Sequence, residues 1–430
     1  MLNRRLAFLF LAILLASCTR LRLSTPPTPA KPPARQPAIS MDTIRWTPNP
    51  HAKPPITEAE VPPIPPRPGS KETYTIALLL SATADEDSNV PNPDALQFYT
   101  GFRMALEDHS TSGGANLQVG VYDCGNTPES MEQTLDSPGF LKNQILVGPF
   151  KSGQVKVAAA WAKLHQKITL SPWVASAGLT TENPQFIQLN PSLRTHCEQI
   201  AQYINRQIPG SAVSIVVKEK ERDRLSFFQE YQQKNNEPPF TEIIVPDNST
   251  KVDKTTLANC FKPGKKSVLI LPSWTNQDWI AAFLNQVKTT RGDHSVIVFG
   301  MPQWKQFESL DPELLTTLQV HISAPTHVNY QSDTVLQFSR RFYDLSATIP
   351  DDNAFNGFDT GKWLCALLAE YGTLFPHYLP GTVQRGLKGN FRMEGNTQPS
   401  YDDNLPSVHY LENKFTHILR FTPQGFQPEN

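Results

Sequence analysis

The chain has 430 residues, 39 basic and 40 acidic side chains for a formal net charge of −1, and 39 prolines. With no basic stripe and no acidic tail, it has the charge of neither a nucleic-acid binder nor a cation sponge. The four cysteines after Cys18 (Cys124, Cys197, Cys260 and Cys365) are spaced too widely for a zinc site, whose ligands cluster closely in sequence. Three disulfide pairings, or buried free thiols, are open to them.

Chain order begins with a basic start, Met1-Leu2-Asn3-Arg4-Arg5, then an apolar run over Leu6–Leu14, then Leu15-Ala16-Ser17-Cys18. A basic segment, an apolar segment and a small-residue cleavage site make a secretory signal. A transmembrane helix needs about 20 apolar residues, and this run is shorter, with Thr19-Arg20-Leu21-Arg22 behind it. Cysteine directly after small residues resembles a bacterial lipobox, which implies removal of residues 1–17 and lipidation of Cys18. Two or more acyl chains hold a protein firmly on a membrane. Thr19, in place of the aspartate that retains enteric lipoproteins in the inner membrane, points to the outer membrane.

Residues 18–71 are a tether. From Ser24 to Ser70 prolines dominate, including Pro26-Pro27, Pro32-Pro33, Pro54-Pro55, Pro62-Pro63 and Pro65-Pro66. Such a segment buries too little apolar surface to offset its ordering entropy. In the polyproline conformation it extends on the order of 100 Å or more, at about 3.1 Å per residue. The remainder, about 360 residues, is enough for two lobes of ordinary domain size.

The texture changes at Tyr74. Tyr74–Ser81 is a continuous apolar run, the pattern of a strand buried on both faces of a parallel sheet. A helix follows, with Asp94 as its candidate cap and Gly113-Gly114 as its end. Strands at Leu117–Asp123, Gln144–Gly148 and Ile168–Ser171 alternate with helices near Glu129–Leu135 and at Gln154–His165. After a helix at Thr195–Gln207 the pattern restarts. Strands are expected at Ala212–Val217, Glu242–Val245, Ser267–Pro272, Ser295–Gly300 and Gln319–Ser323, with helices at Leu225–Lys234 and Gln277–Lys288. Val335–Leu345 and Asn353–Tyr371 look helical, and short strands follow from Met393, the last at Thr416–Phe421. Alternating strands and helices of this kind build parallel sheets.

Several segments together resemble the type I periplasmic binding proteins, the group of the branched-chain amino acid receptors. Ala95–Ala105 is similar to that family's first helix. Val121-Tyr122-Asp123 resembles its second strand, and Val147-Gly148-Pro149-Phe150 with Ser152 and Val155–Ala158 its third strand and following helix. Lys167–Pro172, Asn183-Pro184, Asn190-Pro191-Ser192 and Phe355–Asp359 extend the likeness across nearly all of residues 72–425. Leu271–Asn276 and Phe299–Trp304 resemble a lipoprotein subgroup. The resemblance implies an α/β fold: two Rossmann-like lobes with parallel sheets, joined by a three-crossover hinge. Crossovers are expected near residues 206, 325 and 386. Lobe 1 is then 72–205 with 326–385, and lobe 2 is 206–325 with 386–425.

Ligands of open α/β sheets bind at the carboxyl ends of strands, here the loops 81–83, 150–153, 173–176, 273–276 and 301–304. The resemblance places a ligand carboxylate on Ser152 or Gly153 and on the Trp173–Ser176 segment, through Ala175 and Ser176. Backbone N–H groups at a helix start suit an anion. Where amino acid receptors offer an acid to the ligand ammonium, this chain has Gln303, and a neutral amide cannot compensate a buried ammonium as a carboxylate can. Trp173, Trp274 and Trp304 either stack on a ligand or fill the space between lobes. Tyr330 has the same two readings, and Asn276 completes the candidate set.

Motifs of serine hydrolases, zinc proteases and P-loop nucleotide enzymes are absent; Pro263-Gly264-Lys265-Lys266-Ser267 lacks the first glycine of a P-loop and precedes a strand. No enzymatic activity, metal or cofactor is expected. The sequence reading is a lipid-anchored periplasmic solute-binding protein that holds an amino acid, peptide or similar ligand for a membrane permease or signalling partner. Its alternative is a ligand-free binding-protein fold that regulates a cell-wall partner such as a peptidoglycan synthase. The outer-membrane lipoprotein activators of those synthases reuse the fold in this way.

Overall fold

The structure, a computed structural model, describes residues 73–84, 90–112, 114–398 and 407–429. The signal, Cys18 and the 18–71 tether lie outside the described residues.

The first lobe begins with β1 (Thr73–Leu80), α1 (Pro93–Thr111), β2 (Asn116–Asp123), α2 (Pro128–Leu135), β3 (Ile145–Val147), α3 (Ser152–Leu164), β4 (Ile168–Ser171) and β5 (Phe186–Gln188). Asn92, not Asp94, caps α1: its side chain accepts from the Asp94 and Ala95 amides. The second lobe takes α4 (Leu193–Gln207), β6 (Ala212–Lys218), α5 (Arg224–Lys234), β7 (Thr241–Val245), α6 (Lys254–Ala258), β8 (Ser267–Ile270), α7 (Gln277–Thr290), β9 (Val296–Gly300), α8 (Pro312–Thr317) and β10 (Val320–Ala324). The chain then returns to lobe 1 with α9 (Asp333–Ser346), α10 (Asp352–Tyr371), β11 (Val383–Arg385), β12 (Asn390–Gln398) and β13 (Ser407–Asn413). It ends in lobe 2 with β14 (His417–Thr422) and β15 (Gly425–Pro428).

Among the described residues there are two sheets. One has the order β11-β12-β13-β5-β4-β3-β1-β2 and the other β15-β14-β10-β9-β8-β6-β7. Both are parallel at their centres and antiparallel at one end. The central strands are buried throughout, in agreement with their unbroken apolar runs. Phe98, Phe102, Trp363 and Leu364 cover one face of the first sheet. The second lobe has its own core, which includes Ile200, Ile204, Phe283, Phe299 and Trp304.

α1 and α10 pack at unusually short range. A Cβ on Gly101 would lie 2.0 Å from the Ala354 carbonyl oxygen, and one on Gly357 2.1 Å from the Phe98 carbonyl oxygen. The glycines of the two motif segments are therefore matched notches, and no larger residue fits either.

Two crossover positions differ from expectation. The first lies before α4, near 189–192, rather than near 206: Cys197, Ile200, Ala201 and Ile204 of α4 are part of the second core. The last lies at 414–416 rather than 386, because β13 pairs in parallel with β5, Leu411 opposite Ile187, and so keeps β12 and β13 in lobe 1. Partner choice between strands far apart in sequence decides this, and local pattern does not report it. Cys124, Cys197, Cys260 and Cys365 are all buried free thiols. No helix among the described residues is long and apolar enough to cross a membrane.

Candidate functional site

The strand-end loops are mostly occupied by the protein itself. Trp173 is half-buried and stacks on Phe150, with ring centroids 3.5 Å apart and planes 22° apart, and lies 4.2 Å from Phe98. Its indole N–H donates to Asn353 Oδ1 at 3.3 Å, and its carbonyl accepts from Asn190 Nδ2 at 2.6 Å. Trp173 is thus part of the first lobe's packing. Trp304 is 1% exposed, lies against Gly300 and donates its indole N–H to the Ser273 carbonyl at 2.9 Å. It is a core residue of the second lobe.

The remaining candidates are dispersed. Ser152 is exposed at the first residue of α3, and Gly153 beside it is half-buried against Pro128. Asn276 caps α7, accepting from the Trp279 amide at 3.3 Å. Gln303 is half-buried and donates to Gln306 Oε1 at 2.6 Å within its own turn. Tyr330 is exposed and meets Phe355 edge-on at 6.0 Å. Trp274 is half-buried, edge-on to His196 at 5.4 Å.

A larger space opens beside these loops, a groove of about 1240 Å³ lined by both lobes. Of the sequence-derived candidates it takes Ala175, Ser176 and Trp274. Ser152, Gly153, Trp173, Asn276, Gln303 and Tyr330 are not among its lining residues. The first-lobe wall is the 175–181 loop together with one face of the β12–β13 hairpin: Arg392, Glu394 and Asn396 alternate along β12, with Tyr410 opposite on β13. The second-lobe wall is helical. Arg194, Glu198 and Gln202 stand four apart on α4, and Phe227, Glu230, Tyr231 and Lys234 share a face of α5.

The walls carry their own ion pairs. Arg194 reaches Glu230 at 2.5 Å and Glu198 at 3.9 Å, with its guanidinium 4.6 Å from the Phe227 ring centre. Arg224 pairs with the buried Glu221 at 3.0 Å, and Arg392 with Glu394 at 3.5 Å. Burial pushes the Glu198 carboxyl above the usual carboxylate range, against the pull of Lys414 and Arg194.

Behind the groove lies the joint between lobes, which sequence reasoning missed. Glu412 is fully buried on β13. It accepts from the Ser192 amide at 2.8 Å and from Thr195 Oγ1 at 2.6 Å, both at the start of α4, and from Asn396 Nδ2 at 3.1 Å and Lys414 Nζ at 2.9 Å. Burial alone would raise its carboxyl; Lys414 and these hydrogen bonds outweigh burial and hold it low. Asn413 donates to the Leu189 and Asn390 carbonyls, at 3.2 and 3.1 Å, and so ties two chain passages together. His196 Nδ1 lies 2.8 Å from Ser323 Oγ, and burial lowers its imidazole pKa to about 3, against the pull of Glu412. Within lobe 1, buried Asp359 accepts from the Leu387 and Lys388 amides, at 2.8 and 3.0 Å. Burial lowers the Lys388 ammonium to about 8. The available signal was the polar run Glu412-Asn413-Lys414 inside an apolar strand pattern. No group of three His, Cys, Asp or Glu side chains among the described residues is placed to hold a metal.

No protein-family model and no curated protein sequence matches the chain. Solved structures do. A branched-chain amino acid ABC transporter protein from Rhodospirillum rubrum matches with a TM-score of 0.58 at 13% identity, over 83% of this chain and 100% of that one. The chain has the type I periplasmic binding protein fold. An ABC transporter substrate-binding protein from Desulfitobacterium hafniense, solved in complex with Leu, matches with a TM-score of 0.52 at 15% identity, over 83% of this chain and 100% of the other. LpoA from Haemophilus influenzae matches with a TM-score of 0.54 at 13% identity, over 84% of this chain and 60% of LpoA. In the type I fold of this chain, the groove is set to one side of the strand ends, between α4–α5 and the β12–β13 hairpin.

Proposed function

We propose that this protein is a lipid-anchored solute-binding protein that holds a small polar ligand between its two lobes for a transport or signalling partner such as a membrane permease. Cys18 carries the lipid, residues 18–71 hold the lobes off the membrane, and the protein faces the periplasm from the outer membrane. The supporting observation is a single groove to which both lobes contribute charged and aromatic side chains: Ser176, Arg392 and Tyr410 from one, Arg194, Glu230 and Trp274 from the other. Ligand sites commonly span about 300–1,000 Å³, so the space is ample. A fit through Ala175, Ser176 and Trp274 replaces one through Ser152, Gly153 and Gln303.

Isothermal titration against amino acids, peptides and sugar fragments tests this. Saturable binding that is lost in Ser176→Trp supports it; no binding to any of them overturns it.

The second reading is a regulator of a cell-wall partner, such as a peptidoglycan synthase. The observation favouring it is Trp173, sealed onto Phe150 and Phe98 at a strand end where a small ligand would otherwise sit. Crosslinking in cells should then capture a cell-wall enzyme, and shortening residues 24–70 should abolish the effect on it. An unchanged effect after shortening removes this reading.

A further inference from the structure

The two walls of the groove repeat one chemical order. Along α4 it is cation, carboxylate, carboxamide: Arg194, Glu198, Gln202. Along β12 it is the same: Arg392, Glu394, Asn396. Eight helical residues rise about 12 Å, and four strand residues about 14 Å. Either length matches three to four residues of extended chain at about 3.3 Å each. A free amino acid would occupy about one such step and leave most of the groove to water.

Two of these groups have unspent capacity. Glu230 takes the close contact with Arg194 at 2.5 Å and leaves Glu198 with Arg194 at 3.9 Å. The Glu198 carboxyl, with its side chain 25% exposed, is thus left with only a loose ion pair, and an incoming ammonium can close on it. On the facing wall Arg392 lines the groove; its guanidinium donates to the Lys414 carbonyl and pairs only loosely with Glu394, at 3.5 Å. A guanidinium has five N–H donors, so Arg392 keeps donors for an acceptor on the ligand.

We propose that the groove binds a short peptide with a free amino terminus, its α-ammonium on Glu198 and an acceptor of the peptide, carboxylate or carbonyl, on Arg392. This rests on the binding reading above and narrows its ligand class. Phe227, Tyr231 and Tyr410 supply side-chain contacts without strong selectivity. Ser152, Gly153 and Gln303 take no part.

The test is equilibrium dialysis of the full chain, solubilised in detergent, against three pools read by mass spectrometry. The pools are free amino acids, random tripeptides and the same tripeptides N-acetylated. The expected result is retention of free tripeptides, with N-acetylation or Glu198→Gln each lowering affinity about tenfold or more, the scale of one charge-assisted hydrogen bond. Glu198→Gln is isosteric and part-exposed, so an unchanged thermal melt checks that it folds. Retention of amino acids in preference to tripeptides overturns the peptide assignment and leaves solute binding standing. Tripeptide retention that is indifferent to acetylation and to Glu198→Gln overturns the ammonium anchor. Retention of nothing overturns this inference, and the titration in the preceding section then decides the wider reading.

Discussion

Two regions of the molecule face the space between the lobes, and they treat their polar atoms differently. At the strand ends the aromatic side chains are turned inward: Trp304 donates to Ser273 within its own lobe, and Trp173 stacks on Phe150. In the groove between α4–α5 and the β12–β13 pair the charged side chains are turned outward, and Glu198 and Arg392 hold only loose ion pairs. The difference teaches that Trp173 and Trp304 are taken up by packing, whereas the groove keeps its charged side chains at the surface. Substitutions in the first region should therefore act on stability, and those in the second on binding.

The largest losses test the packed side of this comparison. Trp304→Ala should cost about 3–5 kcal/mol, from lost burial and the cavity left behind, as measured by chemical denaturation. A variant of undiminished stability would return Trp304 to the list of ligand-binding candidates. Glu412→Ala should cost a similar amount, about 3–5 kcal/mol, because it leaves the Lys414 ammonium buried beside Thr195 without its counter-ion. A loss under about 1 kcal/mol would mean that the joint is solvated.

Acid should act next, through the joint rather than the groove. The His196 imidazole stays neutral to about pH 3 when folded, against 6.5 ordinarily, so the unfolded chain takes up the proton first. Stability therefore falls as pH drops from about 6.5 towards 3, by at most about 1.4 kcal/mol per pH unit from this group. Glu412, held low when folded, acts in the same direction, whereas Glu198, held high by burial, opposes both just above its ordinary range. Denaturation at pH 7, 5.5 and 4 should show the decline, and His196→Asn should make it shallower, the rest coming from His321, His327 and His417, whose imidazoles burial also lowers. An identical slope in that variant would assign the decline to other groups.

The smallest effect is expected at Ser152. It is exposed at the start of α3 and does not line the groove, so Ser152→Ala should change stability by under about 0.5 kcal/mol and leave ligand affinity unaltered. A loss of binding in this variant would restore the strand-end site and dissolve the contrast between the two regions.

Much of the fold was legible because its information is local. Continuous apolar runs such as Tyr74–Leu80 and Val296–Gly300 have the length of strands buried on both faces, and their alternation with amphipathic helices points to parallel sheets. Gly101 and Gly357 were visible as motif positions, although only the packing of α1 on α10 shows that each is a notch for the other helix's carbonyl. The site was less legible. Ala175, Ser176 and Trp274 were named from loop position and line the groove, while Arg194, Glu198, Arg392 and Glu412 belong to a helix and a strand pair that meet only after folding.

By itself, then, the sequence determined two α/β lobes, because hydrophobic periodicity is a property of neighbouring residues. The tertiary structure decided that β12 and β13 join lobe 1, that Glu412 bridges to α4, and that the open space lies to one side of the strand ends. Strand pairing, burial of charge and the filling of a cleft each depend on groups hundreds of positions apart. Their energies exist only once the chain has brought those groups into contact.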